Sequence, residues 1–321
     1  MSEQVIAKTN STVVRSGHSK CDRWVKGNGS ARERIETGVV IPEWAPSFQL
    51  APDAKIFAMG SCFARNVEKA LLQRQARVTS AEPESDILEL RTNLLTGLLN
   101  KYNPISIHQE LTWASSHTPF PEHGFIEYDG KYIDPSLRDR GRKGTLEFAR
   151  ARQAQLQQYF ARSFEADLVI ITLGLTETWF DRTTRIALAE APSPRLFEQY
   201  PGRFACKILS YPECATVLSS IYSILQKYGN PNLKVVVTVS PVPLQRTFSG
   251  QDVIVANMMS KSTLRSAAGA LAVASSGVDY FPSYEAAMVS NPSLVWMLDR
   301  RNVSDFIVDR IIGEFTRRYG L

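Results

Sequence analysis

Cysteine is scarce in this chain: four in 321 residues, Cys21, Cys62, Cys206 and Cys214, with no paired spacing. That argues against a disulfide framework and against a thiolate zinc motif, and it fits a reducing compartment. Long apolar runs are missing too. The longest, "ADLVIITLGL" and "LKVVVTVSPVPL", fall well short of a bilayer span. The opening "MSEQVIAKTNSTVV" has no apolar core of a secretory signal. The expectation is a cytoplasmic protein with no membrane span. Histidine is equally sparse, and His108, His117 and His123 share a region without a metal-ligand spacing, so no metal site is expected. The phosphate-cradling G-x-x-x-x-G-K-[ST], the dinucleotide G-x-G-x-x-G and the hydrolase elbow G-x-S-x-G are all absent.

Charge is not strongly one-sided. Thirty-seven Lys and Arg face 32 Asp and Glu, a formal net charge of +5. The basic residues are spread out, and no aromatic-interleaved basic stripe marks a nucleic-acid binder. A polyanionic or phosphate-bearing substrate stays compatible with this balance. No feature fixes an oligomeric state.

What is present is an alternation of short apolar runs and helical patterns. Residues 1–52 are polar and end in the proline-rich "VIPEWAPSFQLAP". They read as an arm wrapping onto the core through Trp44 and Phe48. From residue 53 on, "KIFAM" (55–59), "LVIITL" (168–173), "KVVVTVS" (234–240) and "VDYF" (278–281) read as strands. Their continuous apolarity predicts burial on both faces, hence a parallel sheet. Helical patterns fill 62–75, 86–101, 106–116, 145–163, 213–228, 253–275 and 303–319. The fold class expected is α/β, a three-layer sandwich with a mostly parallel sheet. A stretch at about 102–165 interrupts the alternation and reads as an insertion above the carboxyl edge of the sheet.

The most suggestive corner is Gly60-Ser61-Cys62, between the first strand and its helix. Gly60 permits a sharp turn. Ser61 and Cys62 then lie at a helix start, where unpaired amides and the dipole favour negative charge and lower a thiol's pKa. The same triplet also reads as a serine cap followed by a buried cysteine. At the end of the next long strand, Gly174 allows close approach of a ligand, and Thr176 and Glu177 bring polar groups to the same edge. Glu285 is a candidate acid beyond the last strand. Asp299 and Asn302 stand three apart before the final helix, where Ser304 reads as its cap. The loop "TVSPVPLQRTF" (238–248) reads as scaffold.

Together with "YNPISIHQELTWA", "DLVIITLGLTETW", "VVVTVSPVPLQRTF", "VANMMSKSTLRSA" and "VDYFPSYE", in that order, the peptide Gly60-Ser61-Cys62-Phe63-Ala64 resembles the GSCFA-domain family of bacterial proteins. That family is similar to the SGNH (GDSL-type) esterases and acyltransferases. The resemblance implies a flavodoxin-like sheet and acyl-ester chemistry: hydrolysis of an O-acyl group, acetyl above all, or its transfer to a hydroxyl of a carbohydrate or cell-surface polysaccharide precursor. No cofactor is implied beyond an acyl donor such as acetyl-CoA in the transferase case. Counted from the glycine, the nucleophile position is Cys62, with Ser61 as the alternative if the turn shifts by one. Gly174 and Thr176 occupy the oxyanion segment, where an Asn is usual at the second position, and Asn100 is a further donor. The Asp-x-x-His of the superfamily reads Asp299-Arg300-Arg301-Asn302 here. An amide has no titration near neutral pH, so Asn302 does not replace an imidazole base. His108 and Glu285 are the substitute bases to look for. The alternative function is a catalytically impaired carbohydrate- or acyl-binding relative.

Overall fold

The computed structural model describes residues 21, 23–25, 29–81, 97–115, 118–138 and 143–321. After a short helix α1 (Ala31–Glu36), strand β1 (Ile56–Gly60) leads directly into helix α2 (Cys62–Leu72). Helix α3 (Pro104–Ala114), a hairpin of β2 (Ile126–Tyr128) and β3 (Lys131–Ile133), and helix α4 (Leu146–Ala161) follow. Strand β4 (Leu168–Leu173) runs on to a small antiparallel sheet of β5 (Glu177–Asp181), β6 (Ala187–Leu188) and β7 (Phe204–Ile208), with α5 (Pro194–Gln199) between the last two. The chain ends with α6 (Tyr211–Tyr228), β8 (Lys234–Val239), α7 (Val253–Ala274), β9 (Val278–Tyr280), the short α8 (Ser283–Val289) and α9 (Pro292–Val295), and α10 (Asp305–Tyr319).

The main sheet is parallel throughout, in the order β1-β4-β8-β9. On the other edge of β1, Ile56 makes a single parallel bridge to Val78, which lies in no strand. With that bridge counted as a vestigial second strand, the order is the flavodoxin-like 2-1-3-4-5. Every residue of β1 and β4 is buried, as the unbroken apolar runs require. Successive side chains go to opposite faces. Phe57, Met59, Val169, Ile171, Val235 and Val237 pack under α3, α4, α6 and α7. Ile56, Ala58, Leu168, Ile170 and Val236 pack under α2, α8 and α10.

α2 presents Phe63, Val67, Ala70 and Leu71 to that second face, all nearly sealed from solvent. At about 1.5–3 kcal/mol for each large side chain removed from water, this stripe holds the helix on the sheet. α10 is capped by the Ser304 hydroxyl and docks through Ile307, Ile311, Ile312 and Phe315. Trp44 and Phe48 lie against the same layer, Trp44 edge-on to Phe281 and Phe48 tilted against Tyr319.

The four expected parallel strands appear within a residue or so of their expected bounds. The helix expected over 86–101 falls outside the described residues up to 96, and 98–99 form a turn. The antiparallel sheet β5-β6-β7 was not anticipated. β5 lies in the "TLGLTETWFD" segment beyond the end of β4, and tertiary pairing with β7 makes it a strand. The Asp129-Gly130 turn joins β2 to β3 with both residues at positive φ, 53° and 70°, the geometry that dipeptide favours.

Candidate active site

β1 delivers the Gly60-Ser61-Cys62 corner to the carboxyl edge of the sheet, where α/β domains open their ligand crevices. Gly60 has φ 121°, and a Cβ there would fall 2.2 Å from the Thr172 carbonyl oxygen, so only glycine fits. The corner is held on both sides. The Ser61 N–H donates to the Thr172 carbonyl at 2.8 Å, and the Lys101 N–H donates to the Gly60 carbonyl at 2.7 Å.

Ser61 and Cys62 then take different parts. Ser61 is the N-cap of α2: its hydroxyl accepts from the Phe63 N–H at 3.3 Å, lies 3.1 Å from the Thr172 hydroxyl, and the residue is 1% exposed. Cys62 is the first helical residue, partly exposed, and faces a cavity of about 530 Å³. Its thiol departs from the sequence expectation. Burial pushes its pKa up, and the positive charges of Arg301, Lys261 and Arg138 pull it only partway back.

The other expected residues divide into those at the cavity and those elsewhere. Asn100, Gly174, Glu177 and Asn302 line it with Gly60's neighbours Ser61 and Cys62. Gly174 gives room more than a donor. Its N–H is taken by the Tyr102 carbonyl at 2.8 Å, and a Cβ would lie 2.8 Å from that oxygen and 3.1 Å from the Ser61 Cβ. The Asn100 side chain donates to the Tyr102 hydroxyl at 3.1 Å, while its Oδ1 is buried with no hydrogen-bond partner among the described residues. Glu177 accepts from the Phe248 N–H at 2.8 Å and from the Thr247 hydroxyl, so it braces the 240–250 loop. Asp299 is exposed beside the cavity. Its Oδ1 accepts from the Arg301 and Asn302 amides at 3.0 and 2.9 Å, and its Oδ2 from the Asn302 side chain at 2.5 Å. Those bonds hold the Asp299 carboxyl below the usual carboxylate range.

Thr176 does not face the cavity: its N–H and hydroxyl both go to Ser260 Oγ, at 2.8 and 3.3 Å. Glu285 pairs with Arg265 at 2.5 Å and accepts from the Tyr280 hydroxyl, away from the cavity lining. His108 sits on α3, also off the lining, with its pKa lowered by burial. His123 is exposed in a short turn, and His117 lies outside the described residues. Neither substitute base, His108 or Glu285, is therefore placed at the corner. Among the described residues no three His, Cys, Asp or Glu side chains converge into a metal-ligand group.

The sequence reading missed Arg138, Arg246 and Arg301, Tyr102, Trp179 and the wall formed by the loop after β8. Arg138 donates to the Tyr102 hydroxyl at 2.8 Å. Arg246 stacks over Phe248, which in turn meets Trp179 edge-on at 5.0 Å. Lys261 is fully buried below, donating to the carbonyls of Gly174 at 2.6 Å and Val242 at 2.9 Å. It thereby ties together the loops that leave β4 and β8, and burial brings its pKa down to about 7. The only signal for the loop after β8 was its position at a strand's carboxyl end; isolated arginines in polar stretches look like any solvated surface.

Three comparisons bear on kinship. No curated protein matches the chain. Among solved structures, a Clostridium thermocellum family 3 carbohydrate esterase matches at 9% identity over 83% of this chain and 94% of that one, with a TM-score of 0.31, a likeness too loose to bear on the site. The GSCFA family model matches residues 55–315, a span that begins at β1 and takes in the Gly60-Ser61-Cys62 corner, the cavity loops and most of α10. The chain belongs to the GSCFA family.

Proposed function

We propose that the chain performs acyl-ester chemistry with Cys62 as nucleophile, hydrolysing an O-acetyl ester of a carbohydrate or transferring that group to a sugar hydroxyl. The observation that carries this reading is the division of labour at the corner. Ser61 is committed to capping α2, while the Cys62 thiol opens on the cavity at a helix start. The Cys62 thiolate attacks the ester carbonyl carbon. The Cys62 N–H, the first amide of α2, meets the developing oxyanion, the next two being taken by the Ser61 hydroxyl and carbonyl. The carbon–oxygen bond to the alcohol breaks and the alkoxide takes a proton from water. Water then cleaves the thioester, or a sugar hydroxyl does so in a transferase, for which a soluble thioester such as acetyl-CoA is the natural donor class.

With Asn302 in the histidine position no imidazole assists, so the thiol loses its proton to solvent. A thiol held above its ordinary pKa then imposes an alkaline rise. Hydrolysis of p-nitrophenyl acetate is expected to climb with pH along a limb whose apparent pKa lies above the ordinary thiol value of about 8.5. Cys62→Ala should fall to the uncatalysed background, and mass spectrometry should find the acetyl group on Cys62 of the unaltered chain. If Cys62→Ala hydrolyses as fast as the unaltered chain, the nucleophile assignment is wrong. The second reading, a binding protein that keeps the pocket and lacks the base, is favoured by the Asp299–Asn302 pair. It is the one left standing if no acetylated cysteine forms at any pH.

A further inference from the structure

The charges around the cavity are unevenly answered. Arg65 is neutralised by Glu68 at 2.7 Å. Arg138 meets Glu190 only loosely, at 3.8 Å. Arg246 and Arg301 have no ion pair among the described residues, and the Nε of Arg301 is buried without a hydrogen-bond partner. Of the acidic side chains nearby, Glu177 is occupied by Thr247 and Phe248 and Asp299 by the amides of its own loop. Among the described residues this leaves Glu190 beside Arg138 as the one loosely held carboxylate of the lining. The charges whose field reaches the Cys62 sulfur are cationic, from Arg301, Lys261 and Arg138. Trp179 and Phe248 form an aromatic wall of the same cavity, whose lining also includes the carboxamides of Asn66, Asn100, Gln245 and Asn302. Flat apolar faces with bidentate amides suit a polyhydroxylated ring, and unpaired guanidinium groups suit a carboxylate or phosphate.

We infer that the cavity takes an anionic sugar, with its carboxylate or phosphate against Arg138 and Arg301 at the Cys62 end and Arg246 at the rim drawing it in. This rests on the reading of Cys62 as the group that meets the substrate. The shared chemistry is a sugar bearing a negative charge close to the reacting ester. Arg138 and Arg301 are then specificity-determining residues, and the loop after β8 is a recognition wall more than a scaffold.

Alkylation of Cys62 tests this without any turnover. The rates of iodoacetate and iodoacetamide at Cys62 are read by peptide mass spectrometry, and their ratio is compared with that of a small neutral thiol under the same conditions. A cationic cavity raises the ratio by on the order of tenfold, and the excess disappears at high salt. Arg301→Gln should lower it several-fold, Arg246→Gln less, and Arg301→Lys should keep most of it. A ratio no higher than that of the small thiol, or one indifferent to salt, overturns the inference. The salt series uses the unaltered chain and so holds even where a variant fails to fold. In a second arm, glucuronate, glucose 6-phosphate and glucose compete against iodoacetamide. Protection by either charged sugar beyond that by glucose supports the anion subsite and says which anion it prefers, whereas equal protection by glucose overturns it. Loss of the esterase reading would show as an absence of p-nitrophenyl acetate hydrolysis, which leaves these ratios untouched.

Discussion

The two chain segments that meet near Cys62 are built to opposite standards. The Gly60-Ser61-Cys62 corner is locked into the sheet: one backbone hydrogen bond on each side, a capped helix behind, and a glycine that no other residue can replace. The Asp299–Asn302 turn, whose Arg301 charge also reaches the Cys62 sulfur, instead sits in solvent, with Leu298 fully exposed, Arg300 at φ 54° and most of its bonds made within itself. The place of the proposed nucleophile is part of the fold's stability, while the place where a base would stand is a surface loop. A change in the loop is therefore expected to cost the fold little.

The severest way to break that contrast is Gly60→Ala. It adds a Cβ 2.2 Å from a backbone oxygen at a φ that L-residues rarely adopt. A loss of at least about 4 kcal/mol is expected, from strain plus a clash with no side chain to yield. It should appear in urea as a large drop in midpoint with an unchanged slope.

Next comes Lys101→Met. The Lys101 backbone pins Gly60, and its side chain reaches Glu110 and the Ser136 carbonyl in a sealed site. Removing the ammonium leaves a buried carboxyl alone, at a cost of about 3–5 kcal/mol near neutral pH. The sign with pH follows from Glu110, whose pKa burial raises to about 7 against Lys101's pull. Folding takes up a proton between the unfolded value near 4.5 and about 7, so this group's contribution falls as pH rises through that window. In Lys101→Met the folded pKa rises further, so the fall extends to higher pH and mild acid restores part of the loss. A cost that does not shrink in mild acid would show that Glu110 is not what the lysine serves.

In the loop the effect moves from stability to rate. Asn302→His is expected to change stability by less than about 0.5 kcal/mol, as an exposed position allows. It should raise p-nitrophenyl acetate hydrolysis by on the order of 10²-fold and add a neutral-pH limb from the imidazole. If the rate does not change while Cys62→Ala still abolishes activity, the loop is not the seat of a missing base.

Much of the locked segment was legible in the sequence and much of the loose one was not, for one physical reason. Burial on both faces writes itself as unbroken apolar runs, so the strands at 56–60, 168–173 and 234–239 stood out. A tight corner writes itself as glycine, so Gly60 and Gly174 did too. The cavity wall is made of long polar side chains whose meaning is where they point. Arg138, Arg246 and Arg301 look like solvated surface until the sheet gathers their loops. The thiol's direction was misjudged because a helix start is visible in sequence and the depth of a pocket is not. The strand at 177–181 exists because 204–208 and 187–188 pair with it on its two sides, and no local pattern announces such partners.

The mildest change sharpens the comparison most. Asp299 is fully exposed, and its carboxyl lies below the usual range because two amides and the Asn302 side chain donate to it. A depressed carboxyl stabilises the fold above its unfolded pKa and gives that up as pH falls through its folded value, so Asp299→Ala should trim stability slightly at neutral pH and not at all in strong acid. In the unaltered loop its effect on hydrolysis is expected to be small, since Asn302 moves no proton. In the Asn302→His background the same change should cancel most of the gained activity, because an imidazole at 302 depends on a carboxylate to fix its tautomer and orientation. The two substitutions measured together thus separate a turn that only holds its own shape from one that keeps the geometry of a catalytic pair. Additive effects on rate would mean the former, and loss of the histidine's gain would mean the latter.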